Sequence, residues 1–372
     1  MITLEGDVGS FIQLKGTAYN YFAGNNYLGM ANCPEVIEAA KNALTQYGVN
    51  FAASRQTTGT ADIHLKLEEQ LAHFKQTESA MIFASGYMGN KLWVDYLKDN
   101  IDIIITDSMA HSSILDAVPR SIRQVTQYDH GNMNQLEMLL NHLKHQRVLI
   151  ATDGIFALTG EITPLDEIYA LAEKHKAFVL VDDAHATGIL GENGRGTPEY
   201  FNLNGAPNLF QSETMSKALG SYGGFISGTT EAIQTIRKQS AFYGASTALP
   251  PAIAAASLAS LTYLEKHPER RNELHKKISF VKNAIHDLGY ETTLSPTPIV
   301  PLFFKQKEDA NHLSNYLNVH KIIAPVVDYP VKTALSIVRI TLSANHSDKQ
   351  CDKLILNLKN WKNQATNGKQ ER

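Results

Sequence analysis

The chain is expected to fold as an α/β protein, with a large domain built on a mostly parallel sheet and a smaller C-terminal α+β domain. Two observations carry that expectation. Short apolar segments recur at 80-AMIFAS-85, 101-IDIIITD-107, 147-RVLIATD-153, 177-AFVLVDD-183, 208-NLFQSE-213 and 224-GFISG-228, each the length of a buried strand. Helical patterns lie between many of them, and strands that alternate with helices pair in parallel through crossovers.

Taken in order, 34-PEVIEAAKNALTQY-47 opens on a proline and places Val36, Ile37, Ala40 and Leu44 at helical spacing, and 64-HLKLEEQLAHF-74 repeats such a face. The crossover helices are 133-MNQLEMLLNHLKH-145 and 165-LDEIYALAEKHK-176. After 249-LPP-251 the pattern changes to a helix rich in alanine and leucine through Leu264, then a second from about Arg270 to Leu288. The segments 299-IVPLFF-304, 322-IIAPVV-327 and 335-LSIVRITL-342 read as strands of a smaller sheet, with a helix from about Asp348 to Trp361 after them. The expected divisions are an N-terminal segment, 1–33, a large domain, 34–240, and a small domain with its linking helix, 241–372; strand-like pieces around Phe11 to Phe22 can join the small domain. In open parallel sheets ligands collect outside the carboxyl ends of the strands. Asp107, Asp153, Asp182 and Glu213 all occupy that kind of position.

Composition narrows the classes of function. With 372 residues, 43% of them hydrophobic, the chain can bury a substantial core. Lys plus Arg total 34 against 37 Asp plus Glu, a formal charge of −3, so no basic patch points to a nucleic-acid partner. The two cysteines, Cys33 and Cys351, lie far apart outside any C-x-x-C pair, which indicates neither a disulfide framework nor a thiolate metal site, and a cytoplasmic setting is the simplest reading. The N-terminus has no leader pattern, and apolar stretches such as 177-AFVLV-181 are too short to span a membrane.

The sharpest local signal is 212-SETMSKALGSYGG-224, where Lys217 follows an apolar strand among small and hydroxylated residues. An amine intended as an imine nucleophile needs access and a reduced proton affinity. A lysine beside glycines is common, and alone it reads equally as a surface loop residue. In 179-VLVDDAHATG-188, Asp182 ends a nearly all-apolar strand, where a buried carboxylate can meet a protonated ring nitrogen, and His185 follows three residues later. Taken singly, an aspartate capping a turn and a histidine satisfied by backbone fit as well. In 83-FASGYMGN-90, Ser85, Gly86 and Tyr87 sit between a strand and a helix, as an anion cradle requires. Thr214 and the pair Ser246 and Thr247 are further hydroxyl donors, and His111 could stack on a flat ring, cap a helix or act through its nitrogens.

The motifs 25-NNYLGM-30, 54-SRQTTGT-60, 64-HLKLE-68, 84-ASGYMGN-90, 111-HSSILD-116, 152-TDGIF-156, 182-DDAHATGILGENGRG-196, 214-TMSKALG-220, 246-STALPP-251 and 339-RITLSANH-346 run in order over nearly the whole chain. Together they resemble the α-oxoamine synthases, fold-type-I enzymes that use pyridoxal 5'-phosphate. The resemblance implies a large domain with a mostly parallel seven-stranded sheet, and a homodimer with active sites at the subunit interface. It implies Lys217 as the Schiff-base lysine and acid/base, Asp182 as the partner of the pyridine nitrogen, His185 near the ring oxygen and His111 as the ring-stacking, catalytic histidine. Ser85, Gly86, Tyr87 and Thr214 correspond to phosphate ligands, and Thr247 to a threonine that reaches the phosphate of the neighbouring subunit. Arg339 resembles the clamp on the substrate carboxylate, and Asn26 is expected to line the substrate pocket; no metal is implied.

The activity implied is condensation of glycine or alanine with an acyl-CoA thioester, with decarboxylation, to an α-amino ketone. An 8-amino-7-oxononanoate synthase-like reaction of biotin synthesis leads, beside glycine C-acetyltransferase, serine palmitoyl transfer and an aminotransferase. Three departures bear on the acyl donor. Ala157 and Thr159 stand in 157-ALTG-160 where the family often has S-M-D-G, Ile337 replaces the first arginine of R-L-R, and 328-DYPVKTALS-336 replaces the usual approach to that strand.

Overall fold

The computed structural model describes residues 3–119, 121–122, 124–327 and 334–370, with side chains to 364, so most of the 328–336 departure lies outside the described residues. The chain forms two compact units. The larger comprises Cys33–Phe156 and Ile162–His267; the smaller comprises the chain up to Asn32, Ala157–Glu161 and the chain from Pro268 onward.

The smaller unit begins with an antiparallel pair, β1 (Phe11–Leu14) and β2 (Thr17–Tyr21). The larger unit then supplies one seven-stranded sheet. Its strands are β3 (Ser79–Phe83), β4 (Ile103–Asp107), β5 (Gln124–Tyr128), β6 (Val148–Asp153), β7 (Phe178–Asp182), β8 (Leu209–Thr214) and β9 (Gly224–Gly228), in the order β3-β9-β8-β7-β6-β4-β5. β5, β4, β6, β7 and β8 pair in parallel, while β9 runs antiparallel to both β8 and β3.

β4, β6 and β7 are apolar up to their carboxyl ends because helices cover both faces of the sheet. Ile103 and Ile105 of β4 pack with Leu136, Leu140 and Ile168 in one core cluster, while Ile104 joins Leu92, Trp93 and Ile233 in another. Each such side chain taken from water contributes about 1.5–3 kcal/mol. The alanine-rich helix Pro251–Lys266, expected with the small domain, belongs to the larger unit. Its Ala252 and Ala255 pack with Ala43 of the helix Pro34–Tyr47, and Ala254 and Leu261 pack with Leu67 and Leu71 of the helix Asp62–Lys75. Small side chains let these helices approach closely, and that face would otherwise lie in water.

In the smaller unit, β10 (Ile299–Phe304) pairs antiparallel with β13 (Ser336–Thr341), and β13 with β12 (Val326–Val327). The single segment expected over 322–327 is split, since β11 (Ile322–Ile323) leaves that sheet to pair in parallel with β2. The strand-like N-terminal pieces therefore belong to this unit. Ile337 is fully buried opposite Phe303 and Val327, a place in the core that suits an aliphatic side chain and not an arginine. Among the described residues no helix is long and apolar enough to cross a membrane.

Candidate active site

In the larger unit, β6, β7 and β8 end side by side, and the register sets Asp153 opposite Asp182 and Asp182 opposite Ser212. Outside these carboxyl ends lies a cavity of about 200 Å³. It brings together Lys217, Asp182, His185 and His111 with Ser85, Gly86, Tyr87 and Thr214, all singled out from sequence. Asp153, Ser113, Ala184 and Ser216 also line it.

Lys217 is placed by the turn after β8. Thr214 Oγ1 donates to Gly223 O at 2.9 Å, Met215 N donates to the same carbonyl at 3.0 Å, and Gly220 N donates to Lys217 O at 2.9 Å. The φ of +90° at Gly223 is one that side chains rarely adopt, and a Cβ there would stand 2.7 Å from Phe83 O, so the turn requires glycine.

The Asp182 carboxylate is buried and held from two sides. Ala184 N donates to Oδ1 at 3.0 Å and Asn90 Nδ2 to Oδ2 at 2.7 Å. Asp153, also buried, accepts from His111 N at 2.8 Å; burial, followed by the neighbouring Asp182 charge, pushes its pKa well above the usual carboxylate range. His111 caps the short helix Ser112–Asp116, its Nδ1 accepting from Ser113 N at 3.2 Å and lying 2.7 Å from Ser113 Oγ. Burial lowers its pKa. Among the roles left open for His111, capping is therefore present, and the ring also meets Tyr87 edge to face at 6.3 Å.

At the far side of the cavity the helix Tyr87–Leu97 begins, where first-turn N–H groups have no partner within the helix. Gly86 is packed so closely that a Cβ would stand 2.8 Å from Thr214 Cβ, and one on Gly224 would stand 2.5 Å from Gly86 Cα. Bare backbone therefore faces the cavity beside the Thr214 hydroxyl, which suits an anion. Thr247 does not line this cavity; it is exposed and bridges to Ser54.

The remaining two predicted residues belong to the smaller unit. Arg339, on β13, donates from Nε to Ala157 O at 2.7 Å and from Nη2 to Asn25 Oδ1 at 3.2 Å and Tyr27 OH at 3.4 Å; among the described residues no carboxylate pairs with it. Asn26 makes its side-chain hydrogen bonds elsewhere. Its amide instead closes a local turn, donating to Asn32 Oδ1 at 3.2 Å and accepting from Ala31 N at 3.2 Å. Its neighbour Asn25 is the asparagine whose side chain accepts from the arginine. The departures at Ala157 and Thr159 lie in a segment held by its backbone carbonyls, which accept from Arg339 and from Thr293 Oγ1 at 2.6 Å.

Residues 21–358 match the model of the family Aminotransferase class I and II. The chain is 36% identical over 357 residues to 8-amino-7-oxononanoate synthase 1 of Bacillus velezensis, covering 95% of this chain and 91% of that one. Among solved structures it resembles a serine palmitoyltransferase variant from S. paucimobilis with a bound PLP–myriocin aldimine, at a TM-score of 0.91 and 27% identity over 97% of this chain and 92% of the other. It also resembles 8-amino-7-oxononanoate synthase from Francisella tularensis, at a TM-score of 0.79 and 26% identity over 91% and 96% of the two chains. The chain belongs to the aminotransferase class I and II family, within its α-oxoamine synthase branch.

Proposed function

We propose that the chain is a pyridoxal 5'-phosphate-dependent acyltransferase that joins alanine or glycine to an acyl-CoA thioester with loss of carbon dioxide, the acyl chain being dicarboxylate-derived as for 8-amino-7-oxononanoate synthase. The observation that carries this reading is the single cavity in which an amine, a buried carboxylate, two imidazoles and an anion cradle meet. Those residues fit the cofactor. The side-chain-free backbone at Gly86 suits its phosphate, the Asp182 carboxylate suits a protonated ring nitrogen, and Lys217 brings an amine to the same space.

When bound, the cofactor supplies an electron-poor ring that takes up charge developing at the α-carbon of the amino acid. Lys217 holds the cofactor between turnovers, and its amine then takes the α-proton and later returns one. Asp182, oriented by Asn90 and by the Ala184 N–H, keeps a proton on the ring nitrogen. His111 and His185, the latter on the turn after β7, both line the cavity and would help hold the cofactor, His111 by stacking and His185 as a hydrogen-bond donor. Ser85, Gly86, Tyr87 and Thr214 bind the phosphate. Arg339, steadied by Ala157 O, Asn25 and Tyr27 through Nε and Nη2, binds the amino-acid carboxylate with its remaining Nη1 hydrogens and its fixed positive charge. The protein works as a cytoplasmic homodimer, and Thr247, exposed on its own chain, serves the neighbouring subunit's site.

The test pairs glycine, alanine and serine with acetyl, pimeloyl and palmitoyl thioesters of coenzyme A, reading thiol release and product mass. Alanine or glycine with the pimeloyl donor should release thiol and give an amino ketone lighter by carbon dioxide. Turnover confined to serine with palmitoyl, or to glycine with acetyl, would reassign the donor. A pyridoxamine form with a 2-oxo acid and no thiol would overturn acyl transfer.

A further inference from the structure

We propose that Asn90 is a positioning residue for the cofactor ring, acting through the Asp182 carboxylate; this deepens the pyridoxal phosphate reading and rests on it. Asn90 lies in the first turns of the helix Tyr87–Leu97 and is fully buried. Its Nδ2 is 2.7 Å from Asp182 Oδ2 and 2.9 Å from Ser113 Oγ. A carboxylate only accepts, so the nitrogen and not the oxygen of the amide must face Asp182, and its two hydrogens serve these two acceptors.

The second of those bonds keeps the amide from rotating away. Ser113 Oγ accepts from Asn90 and retains a hydrogen of its own for His111 Nδ1 at 2.7 Å, against 3.5 Å to Asp182 Oδ2. His111 Nδ1 also accepts the Ser113 N–H, so its ring proton sits on Nε2. One carboxamide thus fixes the groups assigned to the ring nitrogen and, at one remove, to the ring face.

Fold stability alone does not call for an amide oxygen here. Asn90 Oδ1 is buried with no hydrogen-bond partner, whereas a leucine of similar size would fill the space and leave no orphaned carbonyl. Burying that oxygen opposes folding, and what the amide gives in return is its pair of Nδ2 hydrogen bonds, which go to the cavity residues Asp182 and Ser113.

The experiment compares two probes on cofactor-free wild type and on Asn90→Leu. One is pyridoxal phosphate; the other is its deaza analogue, in which a CH replaces the ring nitrogen. Affinity is read from protein fluorescence and the visible absorbance of the bound probe. The substitution should weaken pyridoxal phosphate about 10- to 100-fold and the analogue less than about 3-fold, since only the first offers Asp182 a ring nitrogen to hold. Equal losses for both probes, or no loss for either, overturn the proposal. Should Asn90→Leu fail to fold, Asn90→Ser, which leaves room for a water, is compared in the same way, and the same pattern of losses decides for or against the proposal. Wild type that binds neither probe would sink the cofactor reading and this proposal with it; wild type that binds pyridoxal phosphate keeps the two separable.

Discussion

Acid should loosen the smaller unit at one identifiable point, His346. Its ring is buried and stacked on Phe22 at 4.2 Å, with Nδ1 accepting from Ser343 N at 2.9 Å and Nε2 donating to Tyr21 O at 2.9 Å. Only the neutral tautomer satisfies both contacts, because a proton on Nδ1 would face the Ser343 N–H. Burial pushes the His346 pKa down to about 4. The unfolded chain, with an ordinary histidine value of about 6.5, therefore binds more protons than the folded one between those limits. The contribution is fully present above pH 6.5 or so and is lost as pH falls through about 4. At about 1.36 kcal/mol per unit of pKa difference, this group is worth about 3 kcal/mol of pH-dependent stability. The assay is urea unfolding of wild type and His346→Gln at several pH values, which cancels the titrations the two proteins share. Wild type should be the more stable at pH 7, and its advantage should shrink by about 2–3 kcal/mol on going to about pH 4.5. Parallel stability profiles would refute the reasoning.

Three further outcomes are expected. Lys217→Ala should abolish the visible band of bound cofactor and lower turnover by at least about a thousandfold; turnover near the wild-type rate removes Lys217 from the mechanism. Arg339→Lys cannot reproduce a fork that meets Ala157 O, Asn25 and Tyr27 together, so KM for the amino acid should rise about 10- to 100-fold with cofactor affinity unchanged, and an unchanged KM would rule out the clamp. Asp153, whose raised pKa favours its neutral form, loses folded-state stability as pH climbs from the unfolded carboxyl value toward the folded one. Asp153→Asn is neutral throughout and keeps an acceptor for His111 N, so at pH 7 it should be at least as stable as wild type in thermal melts; a loss beyond about 1 kcal/mol would contradict a carboxyl group that burial and the Asp182 charge make costly to ionise.

The parallel strands were legible where burial on both faces makes the sequence uniformly apolar, as in Ile103, Ile104 and Ile105. β5 escaped notice because it is an edge strand: Gln124, Val125 and Gln127 are exposed, and only Tyr128 is buried. The helix Pro251–Lys266 was legible as a helix, but its unit depends on the partner that its alanines meet, which no local pattern records. Motif residues in the cavity announced themselves by chemical type. Asn90 and Ser113 did not, since each is an ordinary helix residue until the fold sets it beside Asp182.

Four strand-end acids looked equivalent in sequence, and the pleat explains why they part. Successive side chains of a strand point to opposite faces, while residues paired in register share one. Asp153 and Asp182 are register partners, and both line the cavity. Asp182 pairs with Ser212, so Thr214, two residues on, returns to the cavity face and Glu213 between them must turn away. Glu213 accordingly meets the buried Lys75 at 2.5 Å on the other side of the sheet. Asp183, one residue past Asp182, likewise turns from the cavity to accept from Thr197 Oγ1 at 2.6 Å and Gln211 Nε2 at 2.9 Å. Asp107 accepts from Met109 N at 2.7 Å and Gly131 N at 3.1 Å, holding the chain ends around it. Parity along β7 and β8 thus separates the acids that face the cavity from those that hold the scaffold, a distinction that residue type alone conceals.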